Sequence, residues 1–249
     1  MSSLPLNRYG GSLISYIAGL VASDGHIETS KTFYICTKSH EFAKLIVQIL
    51  NNICKKLDRD SKVRVLEKRR GKSRIFYVYC NSKNLTNILM RTFKLPIGRK
   101  ADKLSPPLLT SRTSLKWFIR GFCDGDSTVH TRKMRGKLVP RIRIMSICKE
   151  FLEWMHNTLI DVFKIGCSKP FVDKPHGKIA EKYKCKLCWR IEIYGNNVVK
   201  FSMRIGYLHP DKRKKLLKIL ALHTSVWRGS TQGVERSGDV FQVYTKDLY

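Results

Sequence analysis

Acidic side chains are scarce in this chain: 19 Asp and Glu stand against 48 Lys and Arg in 249 residues, a net charge of +29 that no single tail carries. A compact state so charged repels itself unless a polyanion neutralises it, which points to nucleic acid ahead of an anionic membrane surface. No apolar run approaches the roughly 20 residues of a membrane span. The N-terminus lacks the pattern of a secretory signal. An intracellular protein, in a prokaryotic cytoplasm or an organelle, is therefore expected, with no membrane partner. Eight cysteines are scattered without a disulfide framework, as suits a reducing compartment. Only Cys185 and Cys188 have zinc-like spacing, and they lead into a strand-like run where i and i+3 face opposite ways. There is no Gly-rich nucleotide loop, His40, His130, His156 and His209 have no metal-ligand spacing, and Ser and His offer no triad.

Two runs organise what is present. Tyr16 to Gly25 and Trp117 to Asp126 are apolar, helix-like, and carry small residues four apart, Gly19 with Ser23 and Gly121 with Gly125. That spacing puts each pair on one helical face, so two such faces can meet with almost no side chain between them. Each run closes on an acid, Asp24 or Asp126. A carboxylate at a helix C-terminus is electrostatically disfavoured. Two of them converging at carbonyl-rich helix ends suit a hard divalent cation such as Mg²⁺, which offsets the penalty. Asp124 lies two residues before the second acid, on another helical face, and reads as structural.

These residues resemble the motif of the LAGLIDADG homing endonucleases, and the chain resembles the monomeric, two-motif members of that family over about residues 13 to 220. Ala22 departs from the motif where Asp124 keeps its first acid, and Ser127 replaces the terminal glycine that Gly25 preserves. The resemblance implies an α+β fold in which a duplicated αββαββα unit forms a saddle of two antiparallel sheets for DNA. It implies site-specific hydrolysis of both strands of a duplex, in staggered cuts across the minor groove, with Mg²⁺ held by Asp24 and Asp126. Calcium is expected to support binding without cleavage. Such proteins are typically encoded in mobile introns or inteins, and splicing segments that would mark an intein are not visible.

The rest of the chain reads as two copies of one plan, residues 1–104 and 113–220, joined by a proline-bearing linker, 105–112, with a tail of undecided structure at 221–249. The expected order in the first copy is motif helix (about 13 to 24), hairpin His26 to Thr37, helix from Ser39, strands Lys62 to Lys68 and Arg74 to Cys80, a helix near 82 to 92 and another near 100 to 104. The second copy repeats it: 113 to 125, hairpin 128 to 146, helix 149 to 163, strands near 168 to 173 and 185 to 193, helices near 196 to 204 and 210 to 220. The offset is about 102 residues at the motifs and widens in loops to about 112.

By this alignment and the family pattern, Lys38, Lys100 and Lys212 are the candidates to stabilise transition-state charge. Ile147 stands opposite Lys38, so the half-sites differ there. Thr37 and Ser146 are candidates to orient water. The DNA-reading surface is expected on the strands, where Arg141 and Arg143 share one face and Ile142 and Ile144 the other, and where Lys62 and Arg64 alternate with Val63 and Val65. Arg69, Arg70, Arg74, Arg132 and Arg190 extend that set. Two rivals share the scaffold: an RNA-splicing maturase that binds intron RNA, and a DNA-binding regulator without chemistry. Retention of both motif acids favours cleavage.

Overall fold

A computed structural model describes residues 8–57, 60–71, 73–100, 103–134, 136–173 and 188–228. The first half runs α1 (Arg8–Asp24), β1 (Gly25–Ile27), β2 (Thr32–Thr37), α2 (His40–Leu57), β3 (Lys62–Arg70), β4 (Ser73–Asn81) and α3 (Lys83–Arg91). The second runs α4 (Arg112–Asp126), β5 (Ser127–Met134), β6 (Lys137–Ser146), α5 (Lys149–Asp161), β7 (Phe171–Asp173), β8 (Cys188–Tyr194), α6 (Asn196–Arg204) and α7 (Pro210–Arg228). Each half folds its strands into a four-stranded antiparallel sheet, ordered β1-β2-β4-β3 and β5-β6-β8-β7. The identical order is the duplication made visible: a pseudo-twofold α+β saddle, as the sequence pattern predicts.

β4 and β6 keep a period of two, whereas β3, expected to alternate, leaves Val65 and Leu66 exposed beside its cations. In β6, Ile142 and Ile144 are fully buried while Arg143 and Met145, on the other face, are partly exposed. In β4, Phe76, Val78 and Cys80 go inward while Tyr77 and Tyr79 stay half-exposed. α2 buries Phe42, Ala43, Ile46, Ile49, Leu50 and Ile53 against its sheet at helical spacing. α5 does the same with Phe151, Leu152, Met155 and Leu159.

The two halves meet through α1 and α4, which pack on each other more extensively than any other pair of helices. A methyl added at Gly19 would lie 2.1 Å from the carbonyl oxygen of Phe118, and one at Gly121 would lie 2.1 Å from that of Tyr16. The two clashes are the same clash seen from either side of the twofold. Further along, a methyl on Gly125 would fall 2.0 Å from the hydroxyl of Ser23, which donates to the carbonyls of Gly19 and Leu20. The four small residues thus set how closely the backbones approach.

The structure departs from the sequence reading at the element ends. α1 begins at Arg8, five residues before the expected start, and α7 continues to Arg228 through part of the expected tail. Residues 101 and 102 of the helix expected near 100 to 104 lie outside the described residues; beside them the Lys103 amide donates to the Lys100 carbonyl, ahead of Pro106 and Pro107. Residues 229–249 of the tail, and Cys185 of the zinc-like pair, lie outside the described residues. Ser127 is extended (φ −127°), so the position needs no glycine for its backbone. Gly25 is required by space instead, since a methyl there would meet the Val21 Cα at 2.5 Å.

Gly19→Ala or Gly121→Ala must push two backbones apart, because the atom struck is a main-chain carbonyl. Either change should cost about 3 kcal/mol or more in a denaturant melt, at the upper end of overpacking effects.

Candidate active site at the ends of the paired helices

The close approach of α1 and α4 brings their last residues together. Asp24 reaches across, its Oδ2 only 3.1 Å from where a methyl on Gly125 would sit, one residue before Asp126. Asp126 is half-buried, and Asp24 stands at the rim in reach of solvent. Burial pushes the Asp126 carboxyl up to about 6, and the Asp24 charge pushes it the same way against the pull of Lys100 and Lys212. Burial also raises Asp24, whose side chain keeps an exposed edge, with Lys212 and Lys100 opposing.

Both lysines hold helix ends. Lys100 Nζ donates to the carbonyls of Val21 and Ser23, each at 2.5 Å. Lys212 Nζ donates to the carbonyls of Cys123 and Gly125, at 3.0 and 2.7 Å. These carbonyls are pseudo-twofold mates, so the internal alignment of Lys100 with Lys212 is also an alignment in space. Each cation answers a negative helix end, yet one comes from a loop and the other from a helix. Burial brings the Lys100 ammonium down to about 8, against the attraction of Asp126 and Asp24. Burial lowers Lys212 as well, opposed first by Asp124. An ammonium carries three N–H donors, so each lysine retains one beyond the pair given to carbonyls.

A cleft of about 420 Å³ opens beside Asp126, walled by Lys100, Ser127, Thr128, Met145, Ser146 and Ile147. The expected asymmetry is therefore part of the site's wall: Ile147 lines the second half-site, while its counterpart Lys38 is exposed on the turn leading from β2 to α2. Thr37 and Ser146 both act as turn acceptors, taking hydrogen bonds from the amides of Ser39 and Cys148 at 3.2 and 3.1 Å.

Asp124 is structural, as its helical face suggests. It is buried, accepts a 2.7 Å hydrogen bond from the Tyr16 hydroxyl, and takes the amides of Leu208 and His209 at 3.1 Å each, just before α7. Burial nevertheless raises its carboxyl to about 6. By seating the start of α7, Asp124 places Lys212. Ala22 holds the corresponding position in α1. The sequence gives no direct signal of this cap, because its donors lie 84 and 85 residues away.

The strand cations divide. Lys62, Arg64, Arg69, Arg74 and Arg132 are exposed, with Arg64 over the Tyr79 ring and Arg74 3.5 Å from Glu67. The side chain of Arg70 lies outside the described residues. Arg141, expected with Arg143 on the DNA-reading face, is instead buried, its guanidinium 2.7 Å from Glu192, and Arg143 and Arg190 also join carboxylates. Tyr34, Tyr77 and Tyr79 form an aromatic patch on the corresponding face of the first sheet, recognisable in hindsight from the alternation in β4.

Comparison with solved structures places this architecture. I-DmoI, solved with DNA and calcium, superposes with a TM-score of 0.59 at 17% identity, over 86% of this chain and 98% of that one. I-AabMI, a LAGLIDADG meganuclease bound to uncleaved DNA, gives 0.52 at 11% identity over 94% and 96%. The chain has the LAGLIDADG fold. The N-terminal LAGLIDADG domain of DUF199/WhiA is similar too, at 0.50 and 13% identity over 82% of this chain and 87% of that domain. No protein-family profile and no curated protein sequence matches the chain. Identities this low establish the fold, and a fold by itself names no activity.

The two acids should separate in a stability assay. Asp124→Ala leaves a buried hydroxyl and two amides without their acceptor and should cost about 2 to 4 kcal/mol in urea unfolding. Asp24→Asn removes one of two repelling charges and should leave the midpoint unchanged or raise it.

Proposed function

We propose that the protein is a site-specific endonuclease that binds double-stranded DNA as a monomer across both sheets and hydrolyses a phosphodiester in each strand with Mg²⁺. The observation that carries this reading is the reciprocal seating of Asp24 and Asp126 at the ends of two helices pressed together between two cation-bearing sheets. One acid per half matches one cut per strand.

The donor set fits the metal. Two hard carboxylate oxygens at negative helix ends, both pushed above their ordinary range, suit a divalent cation. Among the described residues no third His, Cys, Asp or Glu joins them. Magnesium does not demand a full protein cage, since it commonly keeps waters and takes substrate phosphate oxygens. The helix-end carbonyls expected to share in cation binding serve the lysines instead. When bound, Mg²⁺ would polarise a phosphoryl oxygen and lower the pKa of a nearby water.

The chain's own groups then have definite tasks. Asp24 and Asp126 supply the ligands. Lys100 and Lys212, immobilised on two carbonyls each, direct their remaining N–H toward charge that develops on phosphate, and require no reorganisation to do so. Lys38, on its exposed turn, is placed to clamp a backbone phosphate in the first half-site only. The strand cations track the backbone and read base edges, so affinity should fall steeply with salt. The overall charge of +29 is what such a polyanion would neutralise.

Incubation with a randomised duplex library in Mg²⁺, and in Ca²⁺ as a binding-only control, should recover a long preferred site and cut it on both strands. Asp24→Asn and Asp126→Asn should each keep binding within about threefold and lose double-strand scission by at least a hundredfold. Either variant linearising substrate at the parental rate would remove the proposed centre. Proton competition gives an independent test. With the Asp126 carboxyl at about 6, its ligand form prevails above that pH and is lost below it. Mg²⁺ affinity measured by calorimetry should hold between pH 7 and 8 and fall about tenfold per pH unit below 6.

A further inference from the structure

On the outer face of the second sheet, five charged side chains share one network. Glu192 sits in β8 directly opposite Arg143 of β6, with Arg190 two residues along its own strand and Arg141 two residues along the neighbouring one. One carboxylate oxygen, Oε2, meets Arg141 at 2.7 Å. The other, Oε1, stands 3.4 Å from Arg143 and 3.7 Å from Arg190. Asp173 of β7 pairs with Arg190 and lies 3.9 Å from Arg143. Glu192 is the hub, since all three guanidinium groups converge on it and it is only 7% exposed.

Three cations against two carboxylates leave the network positive. Arg141 donates a hydrogen bond to Glu192, whereas the Nε atoms of Arg143 and Arg190 face its Oε1 as ion pairs and, like the Nε of Arg141, are buried without a hydrogen bond. An ion cluster held this way is a weak source of stability, because desolvating five charges offsets much of their attraction. Its physical consequence is order: a guanidinium fork fixed along one edge presents its remaining N–H groups in a set direction. The counterpart face of the first sheet is built differently, from Tyr34, Tyr77 and Tyr79 with Arg64 and Lys68 over tyrosine rings. Among the described residues the ordered array belongs to the second half.

We propose that Glu192 is a positioning residue for sequence reading: it fixes Arg143 and Arg190, from beneath, as rigid donors to base edges in the DNA half-site that lies on the second sheet. The inference rests on the DNA-binding reading above. Arg141, buried against Glu192 and Met134, holds the hub carboxylate in place rather than reaching outward as a reader itself. A donor held within a narrow range of directions discriminates bases by geometry, whereas the same cation on a mobile stem binds any phosphate.

The experiment is a position-resolved binding selection on randomised duplexes in Ca²⁺, comparing the parental protein with Glu192→Gln and Asp173→Asn, with thermal melts of each. Glu192→Gln should lose at least tenfold in discrimination at two or three adjacent positions of one half-site and leave the other half-site's preferences intact. Its affinity for unrelated duplex should stay level or rise a few-fold, because the change removes negative charge facing a polyanion. A purely structural role would lower both half-sites together with the melting temperature. Asp173→Asn, at the accessible edge of the network, should give a smaller loss at a subset of the same positions, which decides the matter if Glu192→Gln does not fold. Unchanged preferences in the folded variants, or losses spread over both half-sites, overturn the proposal while leaving the DNA-binding reading in place. A parental protein that selects no duplex overturns both.

Discussion

Two polypeptide backbones touching without side chains between them is the constraint from which the rest of this molecule follows. Gly19 against Phe118 and Gly121 against Tyr16 are one contact repeated by the pseudo-twofold. Such a contact has a single tolerated spacing, because a larger residue on either helix collides with a main-chain carbonyl that has nowhere to move. The spacing determines where the helices end relative to each other, and the ends carry the acids. It also holds the two sheets in one relation, since β1 and β5 leave α1 and α4 without an intervening loop. Sheet geometry and carboxylate geometry are thus coupled through four small residues.

Gathering carboxylates at helix C-termini opposes the helix dipole, and the chain answers with lysines rather than with distance. Lys100 and Lys212 each take two carbonyls from the last turn of a paired helix, satisfying acceptors that would otherwise face the acids. Burial still leaves the Asp24 and Asp126 carboxyls raised, against the pull of both lysines. The two lysines reach equivalent positions by unequal routes. Lys212 rides on α7, whose start Asp124 secures, while Lys100 hangs from a turn and Ala22 supplies no such acceptor. Asp124 is therefore the first motif acid turned to architecture.

Whatever recurs at helical or strand period was legible in the sequence. The small-residue pairs, the alternation in β6 and the apolar stripe of α2 each state a local rule that tertiary structure keeps. The equivalence of Lys100 and Lys212 could be read too, because duplication writes the same residue twice. What could not be read is contact between distant segments whose residue types have other common uses. Asp124 meeting the amides before α7 leaves no periodic trace, nor does the burial of Arg141 beneath Glu192. An arginine alternating with isoleucine has the same signature whether its guanidinium meets solvent or a carboxylate one strand away. The unequal settings of the paired lysines could not be read either: Lys212 sits in a helix, whereas Lys100 reaches the α1 carbonyls from outside any helix.

A duplicated fold drifts where its constraints are loose. The helix contact has no slack, and the two halves keep its backbone approach at Gly19 and Gly121, with Ser23 where the other half has Gly125. The sheet faces have slack, and they have diverged into tyrosines with cations on one side and an ion network on the other. A symmetric protein facing a duplex would be confined to palindromic targets, because equal faces demand equal half-sites. For the DNA-binding function proposed above, unequal faces on a shared frame would lift that restriction, since the tyrosine face and the ion network lie on strands and the Gly19 and Gly121 contact lies on the paired helices. The same division reaches the cleft wall, where Ile147 stands in place of Lys38. Asymmetry here is what a fixed axis permits: because one contact holds the frame, everything attached to it is released to specialise.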